Sequence, residues 1–567
     1  MIMDAKKEYS LWLEHCQGSM LEELKALEGN DAEIQARFGS KASFGTAGIR
    51  CMMGVGTARL NDLTVRQTAR GLAAYLLGSD DNKSCAIGYD CRHNSQRFAK
   101  ICAAALAAEG VHVYLYDRLC PTPMLSFAVR YLKTGVGMVI SASHNTKEYN
   151  GLKCYGADGG QMTEIPAAAV SKAIGEVDLF APEKESFESL MEKGMIEYIA
   201  DDVWQAYYTR ITKETIAPET VKEAGLKIVY SPLCGAGGEP VQEMLHRLGA
   251  EVSVPASQKE PSGDFATCPN PNPENDTAFD ESYALAKQVN PDVVMATDPD
   301  SDRIAVAIPD GDGFRKFSGN EMGCLLLDYI LSALQKSGKM PKNPVAVKSI
   351  VSTPLADRVA SAYGVTIRTV LTGFKYIGGV ILELEQAGHP EDFVLGFEES
   401  CGYLKGDYAR DKDAVIAAML IAEMAATYKL QGKTLGDVMD ALYAKYGYYV
   451  AGLKNVVFTS DAQKAQCMAL LDQFRAEAPK EMAGFEVSAV ADFKAQVITD
   501  AKTGETTPTN LPSENMVMLS LGDKGRIIMR PSGTEPKIKF YYTAVASSMD
   551  EANAMIGKMD AAMTALL

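Results

Sequence analysis

The sequence predicts an α/β protein of four domains: three similar mixed α/β units and a smaller C-terminal α+β domain, arranged around a central cleft. Three observations predict it. The chain has 567 residues, which suits roughly three to five domains of ordinary size. Buried-type strands alternate with amphipathic helices up to Gly432, a rhythm typical of layered α/β sheets with largely parallel strands. After about Gly447 the pattern changes to longer strands.

The first predicted domain spans residues 1–206. Apolar residues recur at helical spacing over residues 4–38, and the glycine-rich segment 44-FGTAGIR-50 interrupts them. The elements predicted next are helix 66–77, strand 85–90, helix 97–109, strand 111–117, helix 123–132 and strand 136–141.

The same rhythm recurs twice, in a second predicted domain over residues 207–313 and a third over residues 314–446. The second has predicted strands 227–232, 250–255 and 292–298 and helix 239–248. The third has predicted helices 320–336, 353–363, 376–387 and 412–430 and strands 345–351, 365–370 and 393–398.

The fourth predicted domain spans residues 447–567. Its predicted strands are 449–458, 516–523, 525–530 and 537–545, and its helices are 460–477 and 549–565. Long strands between two terminal helices predict the smaller α+β unit.

Composition narrows the function classes. The net charge is −17 and no Lys/Arg run forms a basic arm, which argues against nucleic acid or an anionic membrane as partner. The twelve cysteines are scattered without a CxxC pair, a usage typical of reduced thiols. The first ten residues lack the apolar core of a signal peptide, and no segment is long and apolar enough for a membrane span. We therefore expect a cytoplasmic protein.

The segment 297-TDPDSDR-303 places Asp298, Asp300 and Asp302 at the end of a predicted strand. In a locally extended chain this spacing turns alternate side chains to one side. Three carboxylates in one small volume repel each other unless a cation lies among them, and hard oxygen ligands favour Mg²⁺ or Ca²⁺. A calcium loop of the EF-hand type fails because Arg303 and Pro309 stand where glycine and glutamate are required. The pattern favours Mg²⁺.

Ser143, in 141-SASHN-145, follows another strand end, where α/β sheets bind their ligands. A serine hydrolase fits poorly, because no G-x-S-x-G elbow surrounds the serine. In addition, an adjacent histidine, His144, is not in the usual orientation to take the serine proton.

Two further loops carry polar groups suited to a phosphosugar. The segment 529-MRPSGTEPKIKF-540 offers Arg530, Ser532, Gly533 and Thr534, a set suited to holding phosphate in a backbone nest. The segment 396-GFEESCGY-403 ends a strand in acidic and hydroxyl groups that suit the hydroxyls of a sugar.

Nucleotide binding is unsupported. The segment 432-GKT-434 lacks the earlier glycine of a P-loop, and 135-GVGMVI-140 lacks the third glycine of a dinucleotide fingerprint. Gly432 is better explained as a helix C-cap.

Taken together, the motifs resemble the α-D-phosphohexomutase family, the phosphoglucomutases and phosphomannomutases, and most closely its long phosphoglucomutase/phosphopentomutase-like branch. The matching pieces occur in family order over about residues 40 to 545. They are FGTAGIR, GYDCRHNS, SASHN, NGLK, DPDSDR, TGFKYIG, GFEES, RDKD and RPSGTEPK.

The resemblance implies a role for each matched residue. Ser143 would carry the phosphoryl group, and Asp298, Asp300 and Asp302 would hold one Mg²⁺ together with a phosphoserine oxygen. The remaining expected catalytic residues are His144, Lys153, Arg50, Arg303 and Lys412, with the general acid and base left unassigned. The expected substrate-binding residues are Thr46, Lys375, Glu398, Ser400, Arg530, Ser532, Gly533 and Thr534.

The expected function is a phosphosugar mutase that interconverts α-glucose 1-phosphate and glucose 6-phosphate, with glucose 1,6-bisphosphate as intermediate and activator. The expected partner is a small sugar phosphate, and the expected assembly is a monomer or weak homodimer. Phosphomannomutase and phosphopentomutase remain open within the family, because GFEES alone does not identify the sugar. A metal-dependent sugar phosphatase and a non-enzymatic sugar-phosphate sensor remain open outside it.

Overall fold

The computed structural model describes residues 4–45, 48–532 and 537–567. They form two compact units. The first comprises Met1–Gly319 and Phe374–Gly432, and the second comprises Asn320–Gly373 and Lys433–Leu567. The predicted α/β class with mixed sheets and helices is confirmed.

The first unit begins with a six-stranded sheet in the order β1-β5-β4-β2-β3-β6. Its strands are β1 Gly48–Met52, β2 Ser84–Tyr89, β3 His112–Leu115, β4 Val136–Ile140, β5 Tyr149–Gly156 and β6 Ile196–Tyr198. Strands β4, β2, β3 and β6 are parallel to one another, whereas at the other edge β5 pairs antiparallel with both β4 and β1. Parallel strands β2 and β4 bring the loops that follow them to the same edge of the sheet.

Nine helices accompany this sheet within the described part of the chain. They are α1 Ala5–His15, α2 Gly18–Lys25, α3 Asp31–Phe38, α4 Asp62–Leu77, α5 Ser95–Ala108, α6 Thr122–Leu132, α7 Glu164–Glu176, α8 Phe187–Glu192 and α9 Asp201–Thr212. Fully buried β2 and β4 lie in an apolar core with α4 and α5, which is why their sequences are continuous apolar runs.

A five-stranded sheet follows in the same unit, in the order β11-β10-β9-β7-β8. Its strands are β7 Lys227–Ser231, β8 Glu251–Ser253, β9 Val293–Thr297, β10 Ile304–Asp310 and β11 Gly313–Phe317. Its helices are α10 Glu219–Glu223, α11 Gly238–Arg247, α12 Ala256–Lys259 and α13 Asp280–Val289, with a short 3-10 helix at Asp276–Phe279. The turn between β9 and β10 carries the aspartate cluster.

The next stretch of the chain contributes to both units. It contains α14 Gly319–Lys336, β12 Val345–Ser349, α15 Leu355–Ala362, β13 Thr366–Val370, α16 Phe374–Gln386, β14 Phe393–Glu398, β15 Gly402–Leu404, α17 Ala414–Lys429 and α18 Leu435–Tyr446. In the first unit β14 and β15 form an antiparallel pair, and in the second β12 and β13 form a parallel pair. Helix α17 is buried on every side over Ala414–Ala426, as expected for a helix that is apolar all round.

The second unit ends in a seven-stranded sheet in the order β16-β24-β23-β22-β19-β20-β21. Its strands are β16 Tyr448–Val457, β19 Ala489–Asp492, β20 Val497–Asp500, β21 Thr506–Pro508, β22 Val517–Ser520, β23 Gly525–Pro531 and β24 Lys537–Ala546. A separate hairpin consists of β17 Glu481–Met482 and β18 Phe485–Glu486, and the helices are α19 Asp461–Ala476 and α20 Met549–Thr564. The strand pairings described in this sheet are antiparallel, in agreement with the predicted α+β character.

The sequence missed several short or polar strands, of which β5, β10 and β15 carry or flank site residues. Strand β5 reads YNGLKCYG, so glycines and polar groups break the apolar pattern that marks a strand. Among the described residues, no helix has the length and apolar character required to cross a membrane.

Candidate active site

Ser143 lies in the loop that follows the buried strand β4, and its side chain is aimed at the aspartate cluster. Its φ of 51° is left-handed, which is uncommon for a residue other than glycine. The Ser143 amide donates to Ser141 Oγ at 2.8 Å. The Ser143 hydroxyl donates to Asp298 Oδ2 at 2.6 Å and lies 3.1 Å from His144 Nδ1. The last contact corrects the expectation that the adjacent imidazole is badly oriented toward the serine.

The three aspartates converge on a tight turn, which corrects the expectation of an extended segment. Ser301, with a φ of 53°, donates its amide to the Asp298 carbonyl at 2.9 Å. Asp298 Oδ1 accepts from the amides of Asp302 at 3.2 Å and Arg303 at 3.1 Å. All three carboxylates are buried and offer ligand atoms within 4.8 Å of one another.

This cluster has the properties of a metal site. Asp300 Oδ1 and Asp302 Oδ1 are buried and have no hydrogen-bond partner among the described residues. Burial, followed by the charges of Asp300 and Asp302, raises the pKa of Asp298 well above its ordinary value. A bound cation would give the two unpartnered oxygens a partner, and it would lower the pKa of Asp298 by stabilising the charged form of that carboxyl group. The residues therefore fit a hard divalent ion with oxygen ligands.

Two lysines flank the cluster. Lys153 Nζ on β5 lies 2.6 Å from Asp300 Oδ2 and 3.2 Å from Asp302 Oδ2. Lys412 Nζ lies 3.2 Å from Asp302 Oδ2 and 3.0 Å from Asp411 Oδ1. Burial opposes the charge of both amines, but the neighbouring carboxylates outweigh it and raise the pKa of each lysine. Both ammonium groups are therefore positively charged at neutral pH.

The same lysines act on the aspartates. Burial alone would raise the pKa of Asp302, but the ammonium groups of Lys153 and Lys412 lower it below the ordinary value. Asp302 is thus an anion, whereas the neighbouring Asp298 is the carboxyl whose pKa is raised. The cluster therefore combines an anionic carboxylate, Asp302, with a carboxyl group, Asp298, that accepts a hydrogen bond from the Ser143 hydroxyl.

The other predicted charged residues surround Ser143. Arg50, on β1, donates to Asn145 Oδ1 at 3.2 Å. Arg303 lies 3.3 Å from Glu274 Oε2, and its Nε is 3.8 Å from Asp302 Oδ1. Burial, reinforced by the charges of Arg303 and Arg50, lowers the pKa of His144 well below its usual value. His144 is therefore a neutral imidazole at neutral pH.

The predicted sugar loop lies in the same unit. Glu398 is the last residue of β14 and is buried. Other carboxylates have the larger effect in raising the pKa of Arg303 and that of Lys412, and the charge of Glu398 adds to both. Ser400 is half-buried in the turn that follows. The amide of Ile304, next to Arg303, donates to the Cys401 carbonyl at 3.0 Å. This backbone contact joins the sugar loop to the aspartate turn.

Lys375 pairs with a carboxylate outside the aspartate cluster. Its Nζ lies 2.6 Å from Glu164 Oε1 at the start of α7, and the Tyr376 hydroxyl donates to the same oxygen at 2.7 Å. The described contacts of Lys375 therefore tie α16 to α7.

The predicted phosphate loop belongs to the second unit. Arg530 Nε lies 3.9 Å from Glu514 Oε1, and the Ser532 amide donates to the Lys537 carbonyl at 2.8 Å. Gly533 and Thr534, and Thr46 in the first unit, lie outside the described residues. The phosphate-binding role of this loop stays a prediction.

Sequence reasoning missed three residues that shape the site. Thr122 Oγ1 and Ser141 Oγ donate to Asp300 Oδ2 at 3.0 and 3.1 Å. Gly402 leaves room for Lys412, because a Cβ at this glycine would lie 2.1 Å from Lys412 Cδ. Ser141 lies in the SASHN motif and Thr122 begins α6. No local sequence pattern indicates that their hydroxyl groups contact Asp300, so these contacts could not be predicted.

Comparison with known proteins gives matches along most of the chain. Models of the phosphoglucomutase/phosphomannomutase family match in order: the α/β/α domain I at residues 41–179, domain II at 205–311, domain III at 318–446 and the C-terminal domain at 486–555.

Two curated relatives are both called phosphoglucomutase. The chain is 37% identical to the one from Staphylococcus epidermidis over 91% of its own length and 93% of the relative's. It is 34% identical to the one from Staphylococcus aureus over 98% and 99% of the two chains.

Solved structures support the fold. The chain resembles a phosphoglucomutase/phosphomannomutase family protein from Burkholderia thailandensis with a TM-score of 0.68 and 18% identity, covering 93% of this chain and 98% of the other. It resembles the open form of parafusin from Paramecium with a TM-score of 0.66 and 16% identity, covering 93% and 95%.

Proposed function

The chain belongs to the phosphoglucomutase/phosphomannomutase family, and from this premise we propose that it is a phosphoglucomutase that interconverts α-D-glucose 1-phosphate and D-glucose 6-phosphate. One observation carries the proposal: the Ser143 hydroxyl lies 2.6 Å from a carboxylate of a buried aspartate cluster. The serine falls in the match to domain I and the aspartates in the match to domain II. A hydroxyl held beside a buried carboxylate cluster that could bind a cation suits a phosphoryl carrier, because the transfer depends on positioning and on neutralised charge.

Ser143 is the proposed carrier of the phosphoryl group. In the forward step the bond between phosphorus and Ser143 Oγ breaks, and a bond forms between phosphorus and the free hydroxyl of the sugar phosphate. The hydroxyl proton leaves to a base, and the product is a sugar bisphosphate. The bisphosphate turns round, and its other phosphoryl group returns to Ser143 with the reverse proton transfer.

Asp298, Asp300 and Asp302 are the proposed ligands of one Mg²⁺, with Ser143 contributing an oxygen when phosphorylated. When bound, Mg²⁺ supplies positive charge that neutralises the transferring phosphoryl group. The unpartnered oxygens of Asp300 and Asp302 support this assignment.

Protein cations supply the remaining charge. Lys153 and Lys412 stay protonated beside the aspartates, and Arg303 and Arg50 lie near the same loop. Charge that is already in place stabilises the transferring group without reorganisation during the reaction. His144 Nδ1 lies 3.1 Å from Ser143 Oγ, which also donates to Asp298 Oδ2; the contact with a neutral imidazole supports His144 as the group that exchanges the serine proton.

Glu398 and Ser400 are the proposed ligands of sugar hydroxyls. The burial of Glu398 at the end of β14, together with its electrostatic effect on Arg303 and Lys412, supports this role. Lys375 is a proposed substrate contact that would have to exchange Glu164 for the substrate phosphate.

The test is a comparison of rates on the 1-phosphates of glucose, mannose and ribose, with and without glucose 1,6-bisphosphate. We expect the highest kcat/KM on glucose 1-phosphate and activation by the bisphosphate. A preference for mannose or ribose would replace the proposed substrate within the family. Steady phosphate release without bisphosphate activation would indicate a phosphatase, and binding without turnover would indicate a sensor.

A further inference from the structure

We propose that Arg92 is a positioning residue that holds the loop carrying Ser143, so that the serine hydroxyl stays aimed at the aspartate cluster. The inference rests on the proposed function, because the loop is the one that would carry the phosphoryl group. Among the described residues, no hydrogen bond or ion pair joins Arg92 to the cluster of Asp298, Asp300 and Asp302, and the Arg92 side chain is fully buried. It therefore acts through the loop and not on the substrate.

The guanidinium group of Arg92 binds four backbone carbonyls of this one loop. Its Nη1 donates to the carbonyls of Thr146 at 2.8 Å and Tyr149 at 3.1 Å. Its Nη2 donates to the carbonyl of Ser143 at 2.5 Å and to that of Asn145. An arginine has only four terminal N–H donors, so the loop occupies all of them.

The loop needs such a clamp because it has few hydrogen bonds of its own. Within residues 142–149 the backbone bonds are from the Asn145 amide to the Ala142 carbonyl at 3.2 Å and from the Tyr149 amide to the Thr146 carbonyl at 3.1 Å. Ser143 also has a left-handed φ of 51°, a conformation that costs about 1–3 kcal/mol and persists only when the surroundings enforce it. Arg92 contacts the carbonyl of this same strained residue.

Arg92 also contacts residues around the end of β2. Its Nε lies 3.3 Å from Asp90 Oδ2, and its own amide donates to Asp90 Oδ1 at 2.9 Å. Ser95 Oγ donates to the same carboxylate oxygen at 2.7 Å. On the other side, the guanidinium carbon lies 5.1 Å from the ring centre of Phe265. These contacts connect Arg92 to the end of β2, to the start of α5 and to the segment around Phe265, in addition to the loop that carries Ser143.

This arrangement bears on the rate of phosphoryl transfer. In-line attack depends on the position of Ser143 Oγ, and a displacement of about 1 Å can cost about 100-fold in rate. Lysine preserves the charge of Arg92 but has three donors on one nitrogen, so it cannot reach four carbonyls spread over seven residues. Arg92→Lys therefore removes the geometry of the clamp while keeping its charge.

The experiment compares Arg92→Lys with the wild-type protein and with Arg97→Lys. Arg97 lies nearby in the chain on helix α5, is largely exposed and pairs with Asp62, so its substitution controls for the replacement of an arginine by lysine in this region. We expect Arg92→Lys to lower kcat on glucose 1-phosphate about 100-fold while KM changes less than about threefold. Amide hydrogen exchange should accelerate most within residues 143–149, and the thermal midpoint should fall, because Arg92→Lys leaves buried carbonyls without a donor. Arg97→Lys should match the wild type in each measurement.

Two results would overturn the inference: wild-type kcat and exchange in Arg92→Lys, or a higher KM with unchanged kcat, which would assign Arg92 to substrate binding.

If Arg92→Lys does not fold, Asp90→Asn serves instead, since it loosens the guanidinium without removing it. We expect about a tenfold lower kcat from it with the same local exchange signature, and unchanged kcat and exchange would contradict the clamp. A wild-type protein inactive on every sugar phosphate would refute the proposed function, whereas the exchange measurement would still test the clamp.

Discussion

Ser143 combines a strained backbone with a hydroxyl that already contacts Asp298 Oδ2. Strain of this kind concentrates at functional sites, because the surrounding structure must over-determine it. Removing the hydroxyl leaves the backbone clamp and the aspartate turn in place. The consequence of substitution should therefore be chemical and not structural.

At this scale the prediction concerns Ser143→Ala. We expect turnover of glucose 1-phosphate to fall by more than about 10³-fold, because the carrier of the phosphoryl group is gone. Circular dichroism and thermal midpoint should match the wild type. The intact mass of wild-type protein incubated with glucose 1,6-bisphosphate should increase by one phosphoryl group, and that of Ser143→Ala should not.

Ser141→Ala is the matched control, since it removes a neighbouring hydroxyl that contacts Asp300 and the Ser143 amide but carries no phosphoryl group in the proposed cycle. It should still become phosphorylated. Full activity in Ser143→Ala, or phosphorylation of the alanine variant, would contradict the proposed carrier.

Helix α17 shows how an element delivers a site residue. It is buried over Ala414–Ala426, and Asp413 caps its N-terminus by accepting from the amides of Val415 at 2.8 Å and Ile416 at 3.2 Å. The other carboxylate oxygen of Asp413 accepts from the hydroxyls of Tyr207 at 2.8 Å and Tyr408 at 2.7 Å. Lys412 precedes this anchored cap, which explains how a lysine more than a hundred residues away reaches Asp302.

The prediction for this element is that Asp413→Ala lowers the free energy of unfolding by about 3 kcal/mol. The loss combines a helix cap, worth about 1 kcal/mol, with two buried tyrosine hydroxyls left without their acceptor, at about 1 kcal/mol or more each. Urea unfolding followed by tryptophan fluorescence measures it, since both tryptophans of the chain, Trp12 and Trp204, belong to the first unit.

Asn30→Ala is the control for that measurement. Asn30 also caps a helix of the first unit, accepting from the Glu33 amide at 3.2 Å, but it is exposed and has no buried tyrosine partners. It should cost about 1 kcal/mol. Equal losses in the two variants would show that the buried hydroxyls contribute nothing.

At the scale of the whole molecule, the residues of the site come from three of the four segments of the chain that match the family models. Ser143 comes from domain I, the aspartates from domain II, and Glu398 and Lys412 from domain III. The chain carries a net charge of −17, so an anionic substrate has to be attracted by local cations. Lys153 and Lys412 supply that local charge beside the proposed metal site.

The prediction at this scale concerns removal of the metal. Exhaustive treatment with a chelator should lower kcat by more than about 100-fold, because the transferring phosphoryl group loses a large neutralising charge. Added Mg²⁺ should restore the rate. Circular dichroism should not change, since Lys153 and Lys412 already pair with the aspartates of the cluster. Full activity without metal, or loss of folded structure on chelation, would contradict a catalytic role for the ion.

Most of the fold follows from local patterns in the sequence. Strand β14 has the predicted bounds, and α6, α14 and β4 differ from them by a single residue, because continuous apolar runs and helical periodicity reflect burial directly. The polar strand β5 and the short strand β15 were missed, because their residues pair through the backbone and lack a clear apolar pattern. The motif residues at positions 143, 298, 300 and 302 were likewise recognisable from type and spacing.

By itself, the sequence determined the order of the elements, the α/β class and the family, because these depend on residue type and on short-range periodicity. Only the tertiary structure decided which side chains meet. The structure brings Lys412 to Asp302 and pairs Lys375 with Glu164. Burial makes His144 neutral, and Arg92 donates hydrogen bonds to the loop that carries Ser143. The physical reason is that such contacts join residues up to about 200 positions apart or depend on burial, and local propensity carries no information on either.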